Sequence, residues 1–351
     1  MDGRLAIVRA THLNDYISVL REIGAPVDRD LARSKLPPRI EETPDLYVSV
    51  PVAIEWIART GHDIELMELG LLGAQKASLA SLRPNHKAAI ITAQTGLRRL
   101  EALIAMSRLE DSAVQMHIRY EADEVRVICN MAGLGRHPFV CLAEWLNLQG
   151  VISVIRSVAG PLWCPGEMSF ASTHRVPEAV RAAFANTRIL MGQPDTSVVV
   201  GRADLARLIP HVIPAAGDPL AAPASGQEHD IESAVWEFAS LLRNMVKPYL
   251  NEGRPDVAFA AELAGISTRT LQRRLMLCGS SYSQILQEAR FELACTRLDD
   301  PALKVIDVAM MTGYGSPQHF TRAFRRFGGI TPSEYRLHSF GGDSLVRRAV
   351  V

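Results

Sequence analysis

The arrangement of hydrophobic and polar residues differs between the two ends of this 351-residue chain. In the N-terminal part, apolar residues recur at helical spacing across 88–108 and across 139–158, which predicts one amphipathic helix in each segment. Residues 114–120 alternate between apolar and polar side chains, and a second apolar run at 125–129 follows a polar interval, which predicts a β-hairpin. This part is therefore predicted to be a mixed α/β domain, with further strands at 168–171 and 197–200.

The C-terminal part has a helical pattern throughout. Short segments with helical spacing follow one another from 229 to 340, and no alternating strand pattern interrupts them. Ahead of them Ile213–Gln227 has the sequence IPAAGDPLAAPASGQ, and prolines among Ala, Gly and Ser are typical of a semi-extended linker. The predicted fold class is α+β, with a mixed α/β domain at 1–212, a linker at 213–228, an all-α domain at 229–340 and a tail at 341–351.

Two stretches of the all-α domain share one order of residues. In each, a short apolar helix is followed by a glycine, Gly265 or Gly313, which supplies the left-handed backbone that ends a helix. A serine then stands where it can cap the next helix, Ser267 in the first stretch and Ser316 in the second. Pro317 follows the second serine, at a position where proline is favoured. The order predicts two helix-turn-helix units.

The helices of these units are predicted to bury one apolar face each, and each first helix carries a small alanine where two helices can approach closely. The residues concerned are Ala260, Leu271 and Leu275 in the first unit, and Ala309, Phe320, Phe324 and Phe327 in the second. Between the units, an apolar stripe predicts a helix over Tyr282–Leu298. A rigid helix there would fix the distance between the two units.

The charge distribution favours DNA as a partner. Over the whole chain Lys plus Arg and Asp plus Glu are both 38, so the net charge indicates no partner. However, 263–287 and 308–333 contain no acidic residue, and each carries three arginines. Taken alone, such clusters are typical of solvated helix faces. Beside two helix-turn-helix patterns they indicate contact with phosphates and base edges.

Residues 235–336 resemble the C-terminal DNA-binding domain of AraC/XylS transcription regulators. The similarity rests on LAGIS with RTLQRRL, on ILQEAR, on IDVAMMTGYGSPQHFTRAFRRF and on the closing TPSEYR, in that order and spacing. It implies a seven-helix domain whose two recognition helices enter successive major grooves. One departure is Gly315-Ser316-Pro317, where many relatives have an acidic residue beside the serine, and this leaves contacts at 317 undefined. The base-facing residues implied by position are Thr268, Arg269, Gln272, Arg273, Gln318, His319 and Arg322.

Residues 15–211 resemble, less specifically, the regulatory domain of the ornithine-utilisation-regulator branch of that family. The similarity rests on Val50-Pro51, the helical run to Leu109, Trp163-Cys164-Pro165 and Asp204-Leu205. It implies a domain that senses a small molecule of unknown identity and also forms a homodimer. The whole chain is then expected to be a sequence-specific regulator, an activator that could also contact RNA polymerase, with double-stranded DNA as its partner.

Two other functions stay open on the sequence alone. The N-terminal domain could respond to a protein partner, or it could be an enzyme fused to a DNA-binding module. We find no G-x-S-x-G elbow, no complete dinucleotide fingerprint and no paired metal-ligand spacing, so no enzyme, cofactor or metal is expected. An effector pocket could be lined by the aromatic side chains of Tyr120, Trp145, Trp163 and Phe170, which are also typical core residues.

The remaining sequence features concern location. Five dispersed cysteines without a C-x-x-C pair are typical of buried thiols in a reducing compartment. There is no signal-peptide pattern at the N-terminus and no apolar stretch of about 18 residues that would span a bilayer. We therefore expect a cytoplasmic protein that does not enter a membrane.

Overall fold

The computed structural model describes residues 5–77, 79, 81–121, 124–134, 137–207, 238–253 and 255–340. The chain divides into two units, Met1–Glu228 and His229–Val351. The predicted linker at 213–228 and the predicted tail at 341–351 lie outside the described residues.

The described part of the first unit contains a two-stranded and a five-stranded sheet. The small sheet pairs β1 with β2, antiparallel, and the large sheet has the order β3-β4-β7-β5-β6. Its neighbours are antiparallel except for the parallel pair β5 and β6. The predicted hairpin is confirmed as β3 and β4. The strands are β1 (Ile7–Arg9), β2 (Tyr47–Ser49), β3 (Val114–Tyr120), β4 (Glu124–Met131), β5 (Glu167–Ser169), β6 (Arg188–Leu190) and β7 (Ser197–Gly201).

Helices surround these sheets, and the long predicted helix at 139–158 is confirmed as α7. The prediction of one helix over 88–108 is wrong, because the chain breaks there into α5 and α6. Thr95 has an extended backbone and its Oγ1 accepts a hydrogen bond from the Arg98 N–H at 3.2 Å, which starts a new helix. The helices are α1 (Ala10–Glu22), α2 (Val27–Ala32), α3 (Val50–Thr60), α4 (Leu66–Lys76), α5 (Pro84–Ile91), α6 (Gly96–Glu110), α7 (Val140–Ala159), α8 (Glu178–Ala183) and α9 (Arg202–Ala206), with a 3₁₀ turn at Ile40–Glu42.

The centre of the first unit is the contact between α4 and α7. Trp145 of α7 is fully buried, and its ring lies 5.0 Å from that of Phe170, so both are core residues. Two glycines of α4 allow this packing: a Cβ at Gly70 would lie 2.4 Å from the Trp145 ring, and one at Gly73 would lie 2.0 Å from the Tyr16 ring. The Tyr16 hydroxyl donates to the Leu142 carbonyl at 2.8 Å, so that this ring is fixed by its backbone in α1 at one end and by the hydrogen bond at the other.

Gly73→Ala is therefore expected to destabilise the protein by about 1–3 kcal/mol, since the new methyl group meets a ring that cannot move freely. Gly150→Ala in α7 is the matched control. A Cβ at Gly150 would lie 3.8 Å from the Leu103 side chain, which is an ordinary contact, and alanine favours a helix over glycine by about 0.5–1 kcal/mol. Urea unfolding of each full-length variant, monitored by tryptophan fluorescence, measures the change in the free energy of unfolding that each substitution causes. Equal effects of the two substitutions would contradict this packing.

A buried polar cluster lies where α6 ends. Glu110 accepts hydrogen bonds from Arg9 Nη1 at 2.6 Å and pairs with His86 Nδ1 at 2.6 Å, and all three side chains are buried. Burial by itself would raise the pKa of Glu110, but hydrogen bonds with His12 and Arg9 lower it to about 2. The next residue, Asp111, differs. Burial raises its pKa to about 6, although the Ala113 backbone N–H donates to it at 2.7 Å.

The raised pKa of Asp111 makes the stability of the native state depend on pH. The native state keeps a proton on this carboxyl up to about pH 6, whereas in the unfolded chain the carboxyl ionises near its usual pKa of 3.8. The contribution of Asp111 to stability therefore falls as pH rises from about 4 to about 6. This difference in pKa corresponds to about 3 kcal/mol.

Asp111→Asn is expected to remove about 2 kcal/mol of the loss in stability between pH 4 and pH 7, since part of the full effect already falls below pH 4. The comparison is the free energy of unfolding of each protein at the two pH values, so that titrations common to both cancel. If wild type and variant lose the same amount, Asp111 does not hold its proton in the native state.

The described residues of the second unit form helices and no strand. The predicted helix Tyr282–Leu298 is confirmed as α13. The first described helix is joined to it by Arg243, which contacts Glu288 at 2.7 Å and Glu292 at 2.8 Å. The helices are α10 (Phe238–Val246), α11 (Val257–Leu263), α12 (Thr268–Leu277), α13 (Tyr282–Leu298), α14 (Val305–Met311), α15 (Pro317–Gly328) and α16 (Pro332–Phe340), with a 3₁₀ helix at Lys247–Glu252.

The cysteines are unpaired but not uniformly buried. Cys129 and Cys141 are buried, as predicted for inert thiols. Cys278 is exposed, so the prediction of burial is wrong there, because this residue lies just past the last turn of α12, outside the packed face of that helix.

Candidate nucleic-acid interface

The first helix-turn-helix consists of α11 and α12. Asp256 caps α11, since its Oδ1 accepts from the Phe259 N–H at 2.7 Å. At the other end Gly265 has φ of +64°, and the N–H groups of Gly265 and Ile266 donate to carbonyls of the last turn of α11. This is a Schellman motif, which closes a helix with a left-handed residue. Ser267 Oγ then accepts from the Thr270 N–H at 3.2 Å and starts α12.

The second helix-turn-helix repeats this arrangement in α14 and α15. Gly313 has φ of +77°, and its N–H and that of Tyr314 donate to carbonyls of the last turn of α14. Ser316 Oγ accepts from the His319 N–H at 3.3 Å, and Pro317 is the first residue of α15. The second turn is one residue longer because Gly315 is inserted before the serine. The glycine and serine roles predicted from the sequence are confirmed.

The buried faces of the two units agree with the sequence in most positions. Leu271, Leu275, Phe320 and Phe324 are buried as predicted. Phe327 is 40% exposed, so its predicted burial is wrong: it lies at the end of α15, where its ring stacks on one side only, on Phe291.

The small alanine predicted in the first unit, Ala260, is buried as Ala309 is, although a neighbouring alanine is the positional counterpart of Ala309. Counted back from the two turn glycines, that counterpart is Ala261, the residue whose carbonyl accepts the turn hydrogen bond in the first unit as that of Ala309 does in the second. Ala260 and Ala261 are both buried, so helices approach closely around either one.

The seven residues predicted to face DNA lie on α12 and α15. Arg269, Gln272 and Arg273 are exposed and occupy one face of α12, because residues three and four apart are neighbours on a helix. Gln318 and Arg322 are exposed and form a corresponding pair on α15, with His319 exposed beside them. Thr268 is half-buried in the first turn of α12. Among the described residues, none of these seven side chains has a hydrogen bond or an ion pair with another.

Other arginines on the same helices are engaged in the fold. The Arg274 guanidinium lies 5.4 Å from the centre of the Phe238 ring, in cation–π contact. Arg326 donates from Nη2 to Gln287 Oε1 at 2.9 Å and so joins α15 to α13. Each arginine cluster of the sequence therefore divides into side chains that hold helices together and side chains that end in solvent.

Helix α13 positions the second unit through an aromatic cluster. The Phe291 ring lies 4.8 Å from that of Phe324, and Arg290 of the preceding position is buried with its guanidinium 5.3 Å from the Tyr314 ring. These contacts connect α13 to the turn of the second helix-turn-helix and to α15. The direction of α15 is thus fixed by buried contacts, while its polar face remains open.

The closing TPSEYR sequence has a structural explanation. Thr331 and Glu334 form a capping box, in which the Thr331 N–H donates to Glu334 Oε2 at 2.7 Å and the Glu334 N–H donates to Thr331 Oγ1 at 3.3 Å. Tyr335 is buried and its ring meets that of Phe324 edge-on at 5.7 Å. Helix α16 therefore packs against the buried face of α15, at Phe324.

Comparison with known proteins agrees with this geometry. The Helix-turn-helix domain family matches residues 260–338. The HTH-type transcriptional regulator VirS of Mycobacterium tuberculosis is 24% identical over 343 residues, which is 97% of this chain and 98% of VirS. The ornithine utilization regulator of Pseudomonas aeruginosa is 37% identical over 82 residues, 23% of this chain and 24% of that protein. The transcriptional activator AggR of Escherichia coli is 30% identical over 103 residues, 29% of this chain and 38% of AggR.

The C-terminal unit carries an AraC-type helix-turn-helix domain. The resemblance stated from the sequence motifs is thereby confirmed. The chain is a DNA-binding transcription regulator, and the relatives reported above are named as regulators rather than enzymes. In the part of the chain that the structure describes, no helix has the length and apolar character of a membrane span.

The two turn glycines are expected to differ in their tolerance of substitution. A Cβ at Gly313 would lie 2.5 Å from the Leu250 carbonyl oxygen, whereas one at Gly265 would meet no atom within 4 Å. Gly265→Ala should therefore cost only the left-handed conformation, about 1–2 kcal/mol. Gly313→Ala should cost more, because it adds a clash with backbone that cannot rotate away. Thermal unfolding of the full-length variants measures the difference, and a larger loss for Gly265→Ala would contradict the described contact.

Proposed function

We propose that this regulator activates transcription by placing α12 and α15 in adjacent major grooves of its target DNA. The observation that carries the proposal is the repeated capped helix with exposed polar side chains that have no partner among the described residues. We assign base contacts to Thr268, Arg269, Gln272, Arg273, Gln318, His319 and Arg322.

The chemistry of these side chains suits the edges of bases. Arginine donates two hydrogen bonds to guanine, and glutamine pairs with adenine through one donor and one acceptor. Arg269 and Gln318 lie in the first turns of their helices, where recognition helices contact bases most often. Two helices in successive grooves on one side of a duplex read sites about 34 Å apart, which sets the expected length of the operator.

The N-terminal unit completes the proposal. In it we place the binding of a small-molecule effector and the formation of a homodimer, as the family resemblance implies. Activation is supported by the name of AggR, a transcriptional activator with 30% identity over 103 residues, and we place contact with RNA polymerase beside it as part of the proposal. We place the regulator in the cytoplasm, which its unpaired cysteines support.

The test of the whole proposal is selection of bound genomic fragments by the purified full-length protein, followed by sequencing. We expect one recurring motif with two conserved blocks about one helical turn apart, upstream of genes whose transcription rises with the regulator. Enrichment without a motif would contradict sequence-specific reading. A single block would contradict the use of both helices.

Within the selected motif, Arg269→Ala and Arg322→Ala are each expected to weaken binding by about 1–3 kcal/mol and to relax the preference at one base position. Arg274→Ala is the matched control, since it removes the same charge from α12 but from a side chain that packs on Phe238. Fluorescence anisotropy on the motif and on single-base variants measures both effects. Uniform weakening across all base variants would assign Arg269 and Arg322 to phosphate contacts.

A further inference from the structure

A cavity opens in the first unit between α1, α6, α7 and β3. Its main lobe comprises about 600 Å³ of space between protein atoms, counted together with the solvent-open region at its mouth. A second lobe, of about 360 Å³ counted in the same way, lies between α1, α3 and α7. The two lobes share Val8, His12, Asp111 and Leu146, so they meet at the polar pair His12 and Asp111.

The walls of this cavity are mostly aliphatic. Leu82, Leu103, Val114 and Met116 line the main lobe, and the second lobe is lined by side chains of the same kind. The aromatic residues proposed from the sequence as pocket residues, Tyr120, Trp145, Trp163 and Phe170, are absent from the described lining of both lobes. The surface of the cavity is therefore mainly apolar, as contact with a hydrocarbon body requires.

The charged groups on the walls have one sign. Glu110 and Asp111 both line the main lobe, and no lysine or arginine is among the described lining residues of either lobe. The nearest cation of the buried cluster, Arg9, is already bound to Glu110 at 2.6 Å and to Asp45 at 2.8 Å. An anionic ligand would meet two carboxylates without a free cation, which disfavours its binding.

His12 supplies a polar atom with no partner among the described residues. Its Nε2 lies 3.6 Å from Glu110 Oε2, and its Nδ1 is buried without a hydrogen bond to any of them. With a proton on Nε2, the nitrogen that faces Glu110, Nδ1 of the imidazole is a hydrogen-bond acceptor. A buried acceptor left unpaired costs free energy that a ligand donor would recover.

We propose that this cavity is the effector site, and that its ligand is a largely apolar small molecule that carries a hydrogen-bond donor, such as a hydroxyl or an ammonium group, and no negative charge. The donor is placed at His12 and Asp111, where the lobes meet, and the hydrocarbon body fills the aliphatic lobes. This assignment rests on the proposed sensing function of the first unit, to which it adds the site and the ligand class.

The test compares three probes with the same chain and different head groups: 1-octanol, octylammonium and octanoate. Isothermal titration of the full-length protein at pH 7 should show binding of the first two. Octanoate should bind at least about tenfold more weakly, because its charge meets Glu110 and Asp111. Asp111→Asn should reduce the difference in affinity between octanoate and the other two probes, because it removes one of the two carboxylates. Octanoate binding as tightly as octanol would overturn the assignment, and so would the absence of binding by octanol and octylammonium.

Variants of the lining locate the binding. Gly150→Leu should abolish binding of octanol, since a side chain there extends past Leu103 into the main lobe. Ser153→Phe, one turn further along α7, gives a second blocked variant if the leucine disturbs folding. His12→Phe keeps an aromatic ring at this position and removes the hydrogen-bond acceptor. It should weaken the binding of octanol roughly three- to tenfold. Unchanged binding in both blocked variants would place the site elsewhere.

DNA affinity in the same samples separates this inference from the proposed function. If the probes bind in the expected order and shift the affinity for the selected operator, the effector-site assignment and the proposed sensing function are both supported. If they bind in that order without any change in DNA affinity, the site assignment stands and its regulatory role fails. If octanoate alone changes DNA affinity, small-molecule sensing stands and the ligand class proposed here is overturned.

Discussion

The direction of each recognition helix depends on one residue in a left-handed conformation. At Gly265 and at Gly313 the chain turns sharply enough to end one helix, and the serine that follows accepts a hydrogen bond from an N–H in the first turn of the next. A residue that avoided positive φ would extend the first helix and carry the second out of position. The open polar faces of α12 and α15 are therefore a consequence of backbone geometry before they are a matter of charge.

In the first unit, the corresponding constraint is the burial of charge. Glu110 is buried with Arg9 and His86 as partners, and so the end of α6 is held against β1 and α5. Asp111 and His12, beside this cluster, have fewer partners and lie where the two lobes of the cavity meet. The same polar layer thus closes the core on one side and presents hydrogen-bond acceptors to the cavity on the other.

Features that depend on neighbours in the sequence could be predicted. The β-hairpin, α7, the serine caps, the turn glycines and the bounds of α13 all follow from local periodicity and capping chemistry. The break between α5 and α6 was missed because apolar spacing continues across Thr95, and only the cap at that residue reveals it. The exposure of Phe327 and Cys278 depends on where a helix ends relative to its packing partners, which periodicity does not encode.

The cavity could not be predicted, because its lining comes from β1, α1, α6, β3, α7 and the segment after α4, far apart in sequence. The sequence draws attention to Tyr120, Trp145, Trp163 and Phe170, whereas the lobes are lined mostly by aliphatic side chains, with His12, Glu110 and Asp111 among the polar ones. The DNA-facing residues are a different case. Helical spacing places them on exposed faces, which the structure describes, and their contacts with bases remain a prediction.

The contact of Gly313 with the Leu250 carbonyl makes the two turns unequal in a further way. Asparagine tolerates the left-handed conformation better than other residues with a side chain. At position 265 there is room for such a side chain, so the glycine there could be replaced over evolutionary time. At position 313 the approaching backbone leaves no volume even for a methyl group. Substitution of the turn glycine is thus sterically possible at the first turn and excluded at the second.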